Sequence, residues 1–252
     1  MKAFVWCLML VGVVQLGCAT LAPTTEPEIV TMVVTSTPRL VTATPAPATA
    51  TATRRPPTPT PTVSLLETEM EALVQSLADD GYLSSTSGTY HELEDFDETW
   101  AQLNWYQWWD TGFEPADFVI SAHTEWDSAS DKADWWNSGC GFVFRELGAD
   151  DHFLAYLSME GYVTVSEARS GTYIDLGYNR YGTVDTPTGE ADVVLVVEGP
   201  MLHFFVNGER VYSRPGIRER AGKLGLTLLS GTNKEYGTRC EMEDVGLWVI
   251  EE

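Results

Sequence analysis

Glu125 and Asp127 stand two residues apart in Glu125-Trp126-Asp127, the spacing at which two carboxylates share one face of a β-strand. His123 belongs to the same alternating set. Carboxylates on one face can serve acid/base chemistry, but no G-x-S-x-G, H-E-x-x-H or P-loop accompanies them, and the four histidines (His91, His123, His152, His203) are scattered. A second group of residues is aromatic. Across Trp100–Trp109, alternation separates Ala101, Leu103, Trp105, Gln107 and Trp109 from Trp100, Gln102, Asn104, Tyr106 and Trp108. The first set begins as a core face. The second mixes rings with amides, and sugars present flat apolar C–H faces to rings while polar neighbours bond their hydroxyls. These residue types favour holding a sugar over cutting one.

The elements around these residues extend the candidate surface. Asp117–Trp126 splits into an apolar set (Phe118, Ile120, Ala122, Trp126) and a second set containing Val119, Ser121, His123 and Glu125. Arg145 lies opposite Phe144 in the pleat and joins the polar set from a neighbouring strand. Trp135 and Trp136, beside Asp134 and Asn137, fall in a loop, where rings have less reason to be buried. Tyr173, Tyr178 and Tyr181 fall between strands. The expected contact residues are Tyr106, Trp108, His123, Glu125, Arg145 and Trp136. The competing reading makes each tryptophan a core residue and His123 and Glu125 a solvated face.

Ser64-Leu65-Leu66-Glu67 has capping-box form, and Leu66, Met70, Leu73, Val74 and Leu77 follow at helical spacing, so a helix is expected over about 64–80 with Gly81 as its stop. From Tyr90 the period becomes two. Strands are expected at Trp100–Trp109, Asp117–Trp126, Cys140–Glu146, Phe153–Met159, Tyr162–Ala168, Asp192–Glu198, Leu202–Val206, Lys223–Leu229 and Cys240–Ile250. Asn207-Gly208 between HFFV and ERVY is the strongest hairpin signal, since a type I′ turn needs φ > 0 twice. Many short strands without interleaved helices make an all-β, two-sheet antiparallel sandwich over residues 89–252, with a helix and connector at 64–88.

Ahead of these lies a leader. Lys2 and the apolar run Ala3–Gly17 read as a secretory signal, too short for an ordinary membrane span of ~20 residues. Gly17-Cys18 resembles the end of a bacterial lipobox, with lipidation at Cys18. Gln15 and Leu16 depart from its usual residues, and cleavage after Ala19 is the alternative. Residues 20–63 are Thr/Pro-rich and read as an extended, disordered stalk reaching on the order of 100 Å at ~3.1 Å per residue. The expected placement is extracytoplasmic, either secreted or held at a membrane through the lipid.

The net charge is −22, with 15 basic and 37 acidic residues. Such a chain repels phosphate backbones, which excludes nucleic acid as a partner. The excess carboxylate reads as a solubilising surface. Calcium is the one ion such donors would take, and no cofactor is implied. Cys7 leaves with the leader and Cys18 belongs to processing, so Cys140 and Cys240 remain as an even pair in an oxidising compartment. A disulfide between them closes a loop of about 100 residues, contributing ~4 kcal/mol on the chain-entropy account. Two cysteines without further ligands do not make a metal site.

The cadence from GCGFVFR through HFLAYLSMEGYVTV and ADVVLVVEGPMLHFFVNGERV to GKLGLTLLSG and EMEDVGLWVI resembles the concanavalin A-like lectin/glucanase superfamily, over about residues 90–252. The resemblance implies a jelly-roll sandwich and, as function, a lectin, a laminin-G-like module that contacts protein, a glucanase or a keto-disaccharide hydrolase. Family 16 glucanases carry E-x-D-x-x-E, whose two catalytic carboxyls stand about 5 Å apart in a retaining mechanism. Here the third position is Ser130, so the pair is broken. The broken motif and the aromatic sets favour a carbohydrate-binding module that does not cut, with a glycan hydrolase or a protein-binding adhesion module as alternatives.

Overall fold

The computed structural model describes residues 64–251. Ser64 caps helix α1 (Leu65–Asp79), its hydroxyl accepting from the Glu67 amide at 3.0 Å. The helix stops at Gly81 (φ 78°), where the Tyr82 amide bonds back to the Leu77 carbonyl at 2.8 Å. Its apolar stripe, Met70, Val74 and Leu77, packs on Val119, Val196, Phe205 and Trp248, which point outward from the first sheet. The helix therefore covers part of one outer face and leaves the rest open.

Thirteen strands follow: β1 (Gly88–Glu92), β2 (Phe96–Trp100), β3 (Trp105–Asp110), β4 (Phe118–Ser128), β5 (Gly139–Gly148), β6 (Asp151–Ser158), β7 (Tyr162–Arg169), β8 (Thr172–Arg180), β9 (Thr188–Glu198), β10 (Met201–Val206), β11 (Glu209–Pro215), β12 (Lys223–Ser230) and β13 (Thr238–Ile250). They form two antiparallel sheets, β1-β13-β4-β9-β10-β11 with β2 also on β13, and β3-β12-β5-β6-β7-β8. The sheets bury one large core between them. Phe118, Ile120 and Leu195 come from the first, and Phe142, Phe144, Phe153 and Leu228 from the second. Each alternates with an outward residue, as period-two sequences require. The expected all-β sandwich is thus observed.

Local signals behave as their chemistry requires. Asn207 and Gly208 take φ 49° and 77° and turn β10 into β11. Cys140 on β5 and Cys240 on β13 form the disulfide, with Cα atoms 5.9 Å apart, tying the two sheets together through the core. Two expectations fail. Trp100–Trp109 is not one strand: the chain leaves β2 at Trp100, turns through Asn104 (φ 55°) and enters β3 in the other sheet. Tyr173 and Tyr178 are not between strands but on β8, whose exposed, polar sequence carries a bulge near Gly177. The leader, Cys18 and the stalk lie outside the described residues. Among the described residues no helix is long and apolar enough to cross a membrane.

Candidate functional site

The outer face of the second sheet carries an aromatic cleft of about 750 Å³. Register builds it. Trp108 (β3), Thr227 (β12), Gly141 (β5), Tyr156 (β6), Thr164 (β7) and Tyr178 (β8) are direct cross-strand partners in one line. Six strands at roughly 4.8 Å spacing make that line about 24 Å long. Gly141, buried beneath the cleft, allows the close approach of β6, since a Cβ there would stand 2.2 Å from the Ala155 carbonyl oxygen and 2.5 Å from Tyr156 Cα. Beneath the cleft Tyr106, Val143, Leu154, Tyr156 and Leu229 form a small second core, on which Trp108 packs.

Rings wall both ends. At the β3 end Trp105, Tyr106 and Trp108 stack in series, with centroids 5.6 Å apart at each step. Trp105 is half exposed (52%), whereas the Trp108 indole N–H donates to Glu146 Oε2 at 3.0 Å, which fixes the ring. At the other end Trp136 stands 5.0 Å from Tyr162 and 4.9 Å from Tyr178. It sits on a 3₁₀ turn, Trp135–Asn137, whose Trp136 carbonyl accepts from the Tyr156 hydroxyl at 3.2 Å. Tyr173 closes the side, its hydroxyl 2.7 Å from Ser166 Oγ.

The cleft is lined by phenols, amides and two carboxylates, Asp150 and Asp175. Burial raises the pKa values of Tyr106, Tyr156 and Tyr173, so all three remain neutral phenols that can donate and accept. Burial lowers that of His152, whose Nε2 lies 2.7 Å from the Tyr106 hydroxyl. A neutral imidazole accepts that hydrogen. Thr164 Oγ1 is buried on the floor with no hydrogen-bond partner among the described residues. Asn104, Gln107 and Asn137 add amides at the rim.

Of the six expected contact residues, Tyr106, Trp108 and Trp136 come together here. His123 and Glu125 do not. They lie on β4, on the outer face of the first sheet, because Trp126 and Ala122 face the core between the sheets. There His123 Nδ1 bonds Asp192 Oδ1 at 2.7 Å, and hydrogen bonding to that carboxylate, its main cause, raises the imidazole pKa. Donor atoms of His123, Glu125 and Glu190 lie within 4.8 Å of one another, a set that suits a borderline divalent ion better than calcium. Asp127 accepts from the Tyr236 hydroxyl at 2.6 Å, beside a polar hollow of about 550 Å³ that also takes in Glu125.

Arg145 is also not a contact residue. It is 1% exposed and turned inward at a bulge in β5 (φ 50°). Its guanidinium donates to the carbonyls of Ala116, Gly199 and Arg218 and to Asp117, at 2.8–3.1 Å. The alternation rule assigned it outward, and the bulge inverts that. Trp105, Tyr156 and Thr164 are not among the expected contact residues, and Tyr173, expected between strands, joins the site from β8. Trp105 belonged to the alternate set that begins as a core face, and strand order alone brings β6–β8 beside β3.

No protein-family model and no curated protein matches the chain. Among solved structures it is similar to the carbohydrate binding module CBM66 from Bacillus subtilis (11% identity, 62% of this chain, 92% of that chain, TM-score 0.46). It is also similar to the VIP36 exoplasmic/lumenal domain in its Ca2+/Man-bound form (9% identity, 67% and 86%, TM-score 0.47). A third is the fructosyltransferase from A. japonicus (14% identity, TM-score 0.44), where 64% of this chain matches 26% of that one. These are likenesses of outline, and the site stands on its own geometry.

Proposed function

We propose that this domain binds a glycan along the outer face of its second sheet and does not cut it. The observation that carries this reading is the cleft on the outer face of the second sheet, with the Trp105–Tyr106–Trp108 stack at one end, Trp136 at the other, and phenols, amides and Thr164 in its lining. Rings stack on the C–H faces of sugars, and phenols, amides and Thr164 bond hydroxyls. Phenols line the cleft above a buried, neutral His152, and the cleft's two carboxylates, Asp150 and Asp175, lie on the β5–β6 turn and on β8. The inter-sheet disulfide fits an oxidising compartment. With the expected leader and stalk, the domain is displayed outside the cytoplasm, tethered through Cys18 if that residue is lipidated. The test is a glycan array followed by titration calorimetry on the hits. Trp108→Ala is expected to lower affinity at least tenfold with no reducing sugar released, and unchanged affinity would remove the site.

A further inference from the structure

We infer that the cleft selects glycans bearing free amino groups, such as glucosamine units, over neutral and anionic ones. This rests on the glycan-binding reading and adds a charge to it. Asp150 and Asp175 line the cleft, and no lysine or arginine does. Of the nearby arginines, Arg169 and Arg218 pair with Glu167, Arg218 and Arg220 pair with Asp151, and Arg180 lies over the Tyr162 ring at the far wall, 5.8 Å from its centroid. Asp150 and Asp175 form no ion pair among the described residues. Asp175 accepts one backbone bond, from Gly177 at 2.8 Å on Oδ1, which leaves Oδ2 for a ligand.

The two carboxylates stand beside rings. Asp175 lies two residues along β8 from Tyr173, on the same face, and Tyr173 is 6.1 Å from Tyr106. Asp150, in the β5–β6 turn, faces the β7–β8 turn, its Oδ1 4.0 Å from where a Cβ on Gly171 would stand. An ammonium in this corner meets a carboxylate and an aromatic face together, whereas a uronate meets only repulsion. An exposed ion pair and one cation–π contact together correspond to a preference of about 3- to 30-fold. That preference must shrink with salt, since the screening length falls from ~10 Å at 0.1 M to ~3 Å at 1 M.

The experiment is calorimetry on the full chain with fully deacetylated and fully acetylated glucosamine oligomers of equal length, in mildly acidic low-salt buffer, where the amines carry protons. The wild type is expected to bind the deacetylated oligomer about 3- to 30-fold more tightly. The Asp150→Asn, Asp175→Asn double variant is expected to bind the two oligomers equally. Asn at 175 can still accept from Gly177, and circular dichroism checks the fold. Equal affinities in the wild type would overturn the inference and leave the glycan-binding reading standing. So would a preference that survives in the double variant, because it would belong to the protein's overall negative charge. Absence of binding to these oligomers, together with binding to a neutral glycan on the array, would likewise overturn the inference alone. Absence of binding to any glycan would overturn both.

Discussion

The Tyr106 hydroxyl lies 2.7 Å from Nε2 of His152, both side chains being buried. This bond joins edge strand β3 to β6 across β12 and β5, beneath the cleft. It fixes the ring at the centre of the Trp105–Tyr106–Trp108 stack and depends on a neutral imidazole.

A first prediction concerns acid. Burial lowers the His152 pKa, so as pH falls below the ordinary imidazole value of about 6.5 the unfolded chain takes up the proton first. The stability this group contributes is present above that value and is lost as pH falls through the folded pKa. Urea midpoints measured from neutral to mildly acidic pH should fall more steeply for the wild type than for His152→Phe. Parallel slopes would contradict the assignment.

Arg145 should prove structural. Arg145→Ala leaves the Ala116, Gly199 and Arg218 carbonyls without this donor and Asp117 with only the Gly199 amide, and leaving such partly buried acceptors unpaired costs about 1–3 kcal/mol. Denaturant titration should show that loss. Glycan affinity, normalised to the folded fraction, should be unchanged.

The history of Arg145 also shows what was legible in the sequence. The helix cap at Ser64, the Asn207-Gly208 hairpin, the cysteine pair and the core face of β4 are local or period-two signals, and the fold follows them. The site needed two non-local facts. One is a bulge, which reverses the pleat at Arg145 without any change in residue pattern. The other is strand order, which sends β3 and β4 to different sheets although they are neighbours in the chain. Alternation correctly set Tyr106 and Trp108 outward and His123 and Glu125 outward, but it cannot say that outward means opposite sides of the molecule.

The first sheet offers a separate titration. The Asp192 carboxylate bonded to Nδ1 holds the His123 pKa above its ordinary value. Its contribution to stability is therefore present below that ordinary value and is lost as pH rises through the folded pKa. It should be small, because both groups are partly exposed. NMR titration should place His123 above the model-peptide value of about 6.5 and show a fall in Asp192→Asn. An unchanged titration in that variant would show that the bond does not set it.

Reduction should weaken the sandwich without changing its ligand. Cys140→Ser, Cys240→Ser removes the one disulfide between the sheets among the described residues, and loss of a native disulfide costs about 2–5 kcal/mol. The melting temperature should drop, and glycan affinity measured well below it should hold.

The most direct test sets the two faces against each other in one titration series. A glycan identified on the array is titrated into the wild type, into Trp105→Ala, Trp108→Ala, and into His123→Ala, Glu125→Gln. Truncating the two rings that flank Tyr106 in the stack should cost about 2 kcal/mol or more, roughly thirtyfold in affinity, while the first-sheet variant binds as the wild type does. Wild-type affinity in the tryptophan variant, with loss in the His123/Glu125 variant, would contradict the account and move the site to the opposite sheet.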